Sequence, residues 1–375
     1  MELLENAQLA LDTINRRPTR GIPSWLIHPM EHSHIERLAG VQPGEYKKRP
    51  EDVYVAMQRN VGTCMLDQYI PENPLTMGHV GYEGAALGAT TGAKEIVLDG
   101  MIIDSPEAVV EHMENFVFPW LRHAVENFDE DTRVKDIIET ERSVQAKLGT
   151  SILKCPYGYA SFPGMAYFTY GYVNYFCAYA LYPDVMEKHF SLQADLAVLN
   201  NRAVARAIYE GNLPPFCRLD HDMADSRGTL VRIESLDEIW FPYFAKSIEP
   251  LRHANVCMIW HCDGNLMEMV PRLIDCGIQG FQGFQYEDGM DYERICRMRT
   301  RDGESLLIIA GVSVTRTLPM GTPDDVKREL AWLVEHGPRT GLFLAASSSI
   351  TPGVPLENLM TLVEGLRYYR KHGRV

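Results

Sequence analysis

The chain has 375 residues, 46% of them hydrophobic, with a formal net charge of −14 and a pI near 5.3. That balance argues against a general nucleic-acid-binding or anionic-membrane surface, because both need clustered Lys and Arg to neutralise phosphates. The opening Met-Glu-Leu-Leu-Glu-Asn lacks the basic start and apolar core of a secretory signal, and no run of about 18 apolar residues predicts a membrane span, so a cytoplasmic protein is expected.

In chain order, apolar runs of strand length fall at 22–27, 63–66, 95–98 and 151–154. The charged stretch 126–141 reads as helix or surface insertion, the insertion being placed near 126–150, and the aromatic segment 167–176 reads as helix core and pocket wall. The second half repeats one grammar of apolar run, polar tip and helix-period segment. Residues 215–219 lead to Asp220-His221-Asp222, residues 256–260 to His261-Cys262-Asp263, and residues 277–281 towards Gln285-Tyr286-Glu287-Asp288. Residues 306–310 then lead to Gly311-Val312-Ser313, and residues 342–346 to Ser347-Ser348-Ser349.

Thr322 followed by Pro323 reads as a cap and first position of a helix over 326–334. Strand and helix alternate, which implies parallel pairing. No G-x-G-x-x-G turn follows an early strand, and reactive residues recur at strand ends. The α/β class expected is therefore a single (β/α)8 TIM barrel over 1–375, in preference to a doubly wound sheet. Eight cysteines without a C-x-x-C pair predict reduced, mostly buried thiols.

Side chains of a strand alternate between faces, so His261 and Asp263 should share one side while Cys262 points away. With Asp220, His221, Asp222 and Glu287 they supply carboxylates and imidazoles suited to acid–base work or to a hard metal. An Asp at a strand end also serves as a cap or turn former, so the convergence of several such tips is the stronger signal. Asp67 ends another apolar run. The segment from His28 through His32 to His34 is dense in imidazoles but also reads as a solvated loop.

With these segments laid out, the chain resembles the uroporphyrinogen decarboxylase superfamily, which includes corrinoid-linked methyltransferases. The resemblance rests on His261-Cys262-Asp263-Gly264-Asn265, Asp275-Cys276-Gly277-Ile278-Gln279-Gly280, Ile309-Ala310-Gly311-Val312, Gly321-Thr322-Pro323-Asp324-Asp325-Val326 and Pro355-Leu356-Glu357-Asn358. A weaker likeness lies at Arg17-Pro18-Thr19-Arg20-Gly21-Ile22-Pro23. It implies a (β/α)8 barrel. In thiol-activating methyltransferases of this kind, His-x-Cys and a later Cys hold zinc; here Asp263 and Ser348 stand in the two Cys positions beside His261, which implies a harder metal or zinc with other ligands. For the decarboxylases, the resemblance matches Asp67, with Pro71 and Met77-Gly78, to the aspartate that binds pyrrole NH groups, and Tyr170 to an active-site tyrosine. The paired arginines that hold substrate carboxylates are missing.

Three readings follow. The favoured one is a methyltransferase that moves a methyl group from a small methylated substrate to a corrinoid (cobalamin) protein. In it His261, Asp263 and Glu287 hold zinc or another divalent metal, and Asp222, Glu287, His28, His32, Arg227 and Ser348 contact substrate. The alternative is cofactor-free decarboxylation of a tetrapyrrole in porphyrin biosynthesis, with Asp67 and Tyr170 as the catalytic residues in place of His261 and Asp263. The third is a non-catalytic tetrapyrrole- or corrinoid-binding protein. The resemblance also implies a homodimer.

Overall fold

The computed structural model describes residues 3–72 and 95–374. Its centre is a ring of parallel strands: β1 (Met65–Leu66), β2 (Leu153–Lys154), β3 (Phe216–Asp220), β4 (Cys257–His261), β5 (Gly280–Gln282), β6 (Leu307–Val312) and β7 (Leu342–Ala346). The last five form one sheet in the order β7-β6-β5-β4-β3, and β1 pairs with β2. The extended segment at Ser24 and Trp25 supplies the eighth position, bridging to Leu344 of β7 on one side and to Met65 of β1 on the other. A bridge from Tyr157 to Arg218 joins the end of β2 to β3, and the ring closes.

Three of the early apolar runs thus enter the barrel. The fourth does not: Val97–Leu98 pairs antiparallel with Met101–Ile102, a hairpin outside the ring in which Val97 and Ile102 are about half exposed while Leu98 and Met101 pack partly buried against the core. The turn Asp99-Gly100, both residues at positive φ, closes it.

Strands β4, β6 and β7 are buried along their whole length, as expected of parallel strands covered on both faces. Alternation sorts their side chains. Trp260 turns outward, edge-on to Trp240 and Phe244, so its neighbour His261 turns into the barrel. The helix Pro323–His336 covers the outside next to β6 and starts with a capping box, in which Thr322 accepts from the N–H of Asp325 and the Asp325 carboxylate accepts from the N–H of Thr322. The charged stretch read as insertion or helix forms Glu130–Leu148, which packs along the 29-residue helix Pro183–Gly211. No helix among the described residues is long and apolar enough to cross a membrane.

Candidate functional site

The C-terminal ends of the strands surround a cavity of about 190 Å³ lined by Trp25, Leu26, His28, Gln68, Arg218, Asp220, Asp222, His261, Asp263, Gln282, Ser348 and Ser349. This is the end of a parallel barrel where loops gather functional groups. Register explains part of the set: Asp220 of β3 lies beside His261 of β4, which lies beside Gln282 of β5, so three polar tips form one layer across three strands.

Asp222, His261 and Asp263 offer ligand atoms that all lie within 4.8 Å of one another. Asp222 enters two residues beyond β3, and Asp263 two residues beyond β4. Their turns are tied, because the Asp263 N–H donates to Asp222 Oδ1 at 3.1 Å. Gly264 permits this approach: its φ is +88°, and a Cβ there would stand 2.8 Å from the Asp225 carbonyl oxygen. Gly283, at φ +86°, does the same for the imidazole, since a Cβ would fall 2.5 Å from His261 Nδ1. Cys262 faces the other way, with Sγ accepting from the Met223 N–H.

Two buried atoms of this group lack partners among the described residues, His261 Nδ1 and Asp263 Oδ1. Burial raises the Asp263 carboxyl above the ordinary range, opposed by His261 and by the Ser348 hydroxyl, while Asp222 and Asp220 reinforce the rise. The adjacent cation is committed elsewhere. Arg218 donates through Nε to Asp67 at 2.7 Å, through Nη1 to Asp220 at 2.8 Å and through Nη2 to Gln68 at 3.1 Å, and its guanidinium lies over the rings of Tyr157 and Trp25. Among the described residues, Asp222 and Asp263 are therefore two carboxylates without a compensating cation, beside an imidazole. One His and two carboxylates, with buried unpaired atoms among them, fit a divalent metal of the zinc or harder class.

The neighbouring groups tune the cavity wall. His28 Nδ1 lies 3.2 Å from Ser349 Oγ, and its Nε2 is buried without a partner among the described residues. Burial lowers its pKa to about 4, so the imidazole is neutral at physiological pH. Gln282 donates to the Ser347 carbonyl at 2.8 Å and leaves its Oε1 buried and without a partner among the described residues. His221 points away from the cavity; its Nε2 accepts from the Met165 N–H, and its ring stacks on Tyr167.

The structure thus brings His261, Asp263, Asp222, Asp220, His28 and Ser348 to one cavity and places the other expected residues apart. Asp67 is adjacent but fully engaged: Trp25 Nε1 and the Gln68 N–H donate to Oδ1 and Arg218 to Oδ2. Burial alone would raise its pKa, but Arg218 and these hydrogen bonds outweigh it and hold the carboxyl below its ordinary value. Tyr170 lies outside the cavity lining and shares a hydrogen bond with His112, which in turn meets Asp99. Glu287 stands clear of the metal group because Ser313 and Thr315 hold its carboxylate. Arg227 is exposed and folds back on Asp225 in its own hairpin. His32 packs edge-on to Tyr46 rather than against the cavity. Met77-Gly78 lies outside the described residues.

Trp25, Gln68, Gln282 and Ser349 are additions to the expected set. Gln282 and Ser349 each follow an apolar run directly or within a Ser triplet, the same signal that marks His261.

Residues 222–369 match the family model described as Uroporphyrinogen decarboxylase (URO-D). A solved structure of a methyltransferase from Methanosarcina mazei superposes with a TM-score of 0.58 at 16% identity, covering 98% of this chain and 99% of that one. A putative vitamin-B12-independent methionine synthase from Listeria monocytogenes gives a TM-score of 0.43 at 13% identity, over 94% of this chain and 98% of its own. Comparison with curated proteins finds no match. The match to the uroporphyrinogen decarboxylase (URO-D) family model thus spans both Asp222 and the His261-x-Asp263 tip, and the fold is shared with the methyltransferase over nearly the whole chain.

Proposed function

We propose that the chain is an enzyme that takes a methyl group from a small methylated substrate and passes it to a reduced corrinoid carried by a partner protein. The observation that carries this reading is the convergence of Asp222, His261 and Asp263, ligand atoms within 4.8 Å of one another, on a cavity of about 190 Å³. A volume of that size suits a small ligand.

The chemistry sets a clear demand. When a methyl–heteroatom bond breaks, the electron pair stays on the heteroatom, so the site must place positive charge or a proton there. A divalent metal held by Asp222, His261 and Asp263 would supply that charge as a Lewis acid. Neutral His28, with Nε2 free inside the cavity, orients the substrate by a hydrogen bond. The Ser348 hydroxyl opposes the rise that burial causes in the Asp263 carboxyl. The absence of thiolates among these donors favours an oxygen or nitrogen substrate over activation of sulfur.

Porphyrinogen decarboxylation draws less support. Asp67 would have to receive pyrrole N–H groups, yet both its oxygens already accept from Trp25 and Arg218. Arg218, the one arginine among the described residues that line the cavity, is likewise occupied, which leaves little to hold a polycarboxylate.

The test is incubation of the metal-loaded protein with a reduced corrinoid protein and a panel of methylated alcohols, ethers and amines, monitored by the visible spectrum of the corrinoid. The expected result is methylation of the corrinoid with at least one donor, abolished in His261→Ala. No methylation with any donor, together with carbon dioxide release from a porphyrinogen, would reverse the reading.

A further inference from the structure

The opposite face of the barrel carries a second group of side chains. Gly341 immediately precedes β7, and residues 20–22 lead into the extended segment at Ser24, which bridges to that strand. A cavity of about 180 Å³ lies at these N-terminal strand ends, lined by Arg20, Arg339 and Arg374 together with Thr13 and Thr19. None of the described residues that line it carries a carboxylate. Among the described residues, none of the three guanidiniums has an ion-pair partner.

In a chain of net charge −14, this is a local reversal of sign. Arg374 uses Nη2 to donate to the carbonyls of Gly337 and Pro338, while its Nη1 is buried with no partner among the described residues. Burial, with Arg339 close by, lowers the Arg374 pKa. Three like charges around a small space repel one another, and an unpaired guanidinium N–H away from water is costly. An anion seated among them removes both penalties. The hydroxyls of Thr13 and Thr19 donate to the carbonyls of Leu9 and Gly21, so recognition falls to the arginines.

We infer that this cavity binds a phosphate group, free or as a small monoester, through Arg20, Arg339 and Arg374. A tetrahedral oxyanion presents acceptors in the several directions that three separate guanidinium forks require, whereas a planar carboxylate serves one fork at a time. The three arginines come from the N-terminal segment, the 337–341 loop and the chain's last described residue, so one anion ties together three parts of the sequence at the barrel floor.

Titration calorimetry of the full chain with inorganic phosphate, and separately with glycerol 3-phosphate, tests this. Arg20→Gln and Arg339→Gln alter exposed side chains and should fold normally; Arg122→Gln, exposed on a distant helix, is the control. The expected result is one saturable site in wild type and Arg122→Gln, weakened by about tenfold or more in each of the other two variants. Tighter binding of one compound than the other identifies free ion or ester as the source. Failure of both to saturate, or equal affinity in Arg339→Gln, overturns the inference. Because the readout is heat of binding, the outcome is independent of the methyl-transfer reading.

Discussion

The backbone N–H of Asp263 donates to Oδ1 of Asp222 at 3.1 Å, so the turn after β4 and the turn after β3 are locked together with their carboxylates side by side. With His261 on the same face, this makes a site whose negative charge the surrounding protein does not balance. Several measurable consequences follow from that arrangement and its supports.

Gly283→Ala should damage the site without touching a ligand. Its Cβ would enter the space of His261 Nδ1 from a backbone at φ +86°. Displacing the imidazole should lower metal affinity by about 10- to 100-fold, the size of effect usual for residues that orient ligands. Metal titration of the variant against wild type checks it, and unchanged affinity would show that His261 has room to spare.

His28→Phe should raise KM while leaving metal content unchanged. The imidazole lies on the cavity wall and supplies a neutral hydrogen bond from Nε2, so its loss should cost about 1 kcal/mol of binding, roughly fivefold in KM. Because burial keeps its pKa at about 4, the effect should be flat from pH 6 to pH 8. Steady-state kinetics over that range would expose a pH-dependent role.

The Asp67–Arg218 pair should behave as a structural element. Asp67→Asn leaves a buried guanidinium short of its counter-charge, and the loss of stability should be about 3–5 kcal/mol. Replacing both, as Asp67→Leu with Arg218→Met, should recover much of it. Urea denaturation of the single and double variants measures the difference; a fully stable Asp67→Asn that lost only activity would return Asp67 to the chemistry.

Acid should destabilise the protein through His189. This imidazole is 5% exposed, and burial lowers its pKa from 6.5 to about 4. The unfolded chain therefore binds the proton more readily than the folded one. Its contribution to stability is complete above pH 6.5 and is lost as pH falls from 6.5 towards 4, amounting to about 3 kcal/mol. Thermal melts from pH 7 to pH 4 should show a steeper decline in wild type than in His189→Leu.

Much of the barrel was legible because parallel strands buried on both faces leave short apolar runs that end in polar residues. The run 95–98 has the same composition yet makes a surface hairpin, since a short apolar stretch does not record which neighbour it pairs with. His261 and Asp263 could be assigned to one face by alternation alone. Glu287, Arg227 and Tyr170 could not be excluded, because what removes them from the cavity is their capture by Ser313, Asp225 and His112, contacts made by folding. The engagement of Arg218 was hidden for the same reason: its partners Asp67 and Gln68 lie some 150 residues away in sequence.

The most direct measurement is the divalent metal content of the purified protein, prepared without chelators, for wild type and for Asp222→Ala, His261→Ala and Asp263→Ala. The account predicts close to one equivalent in wild type and its loss in all three variants. Wild-type protein that stays metal-free after incubation with zinc, manganese and cobalt, or variants that retain the full equivalent, would contradict it.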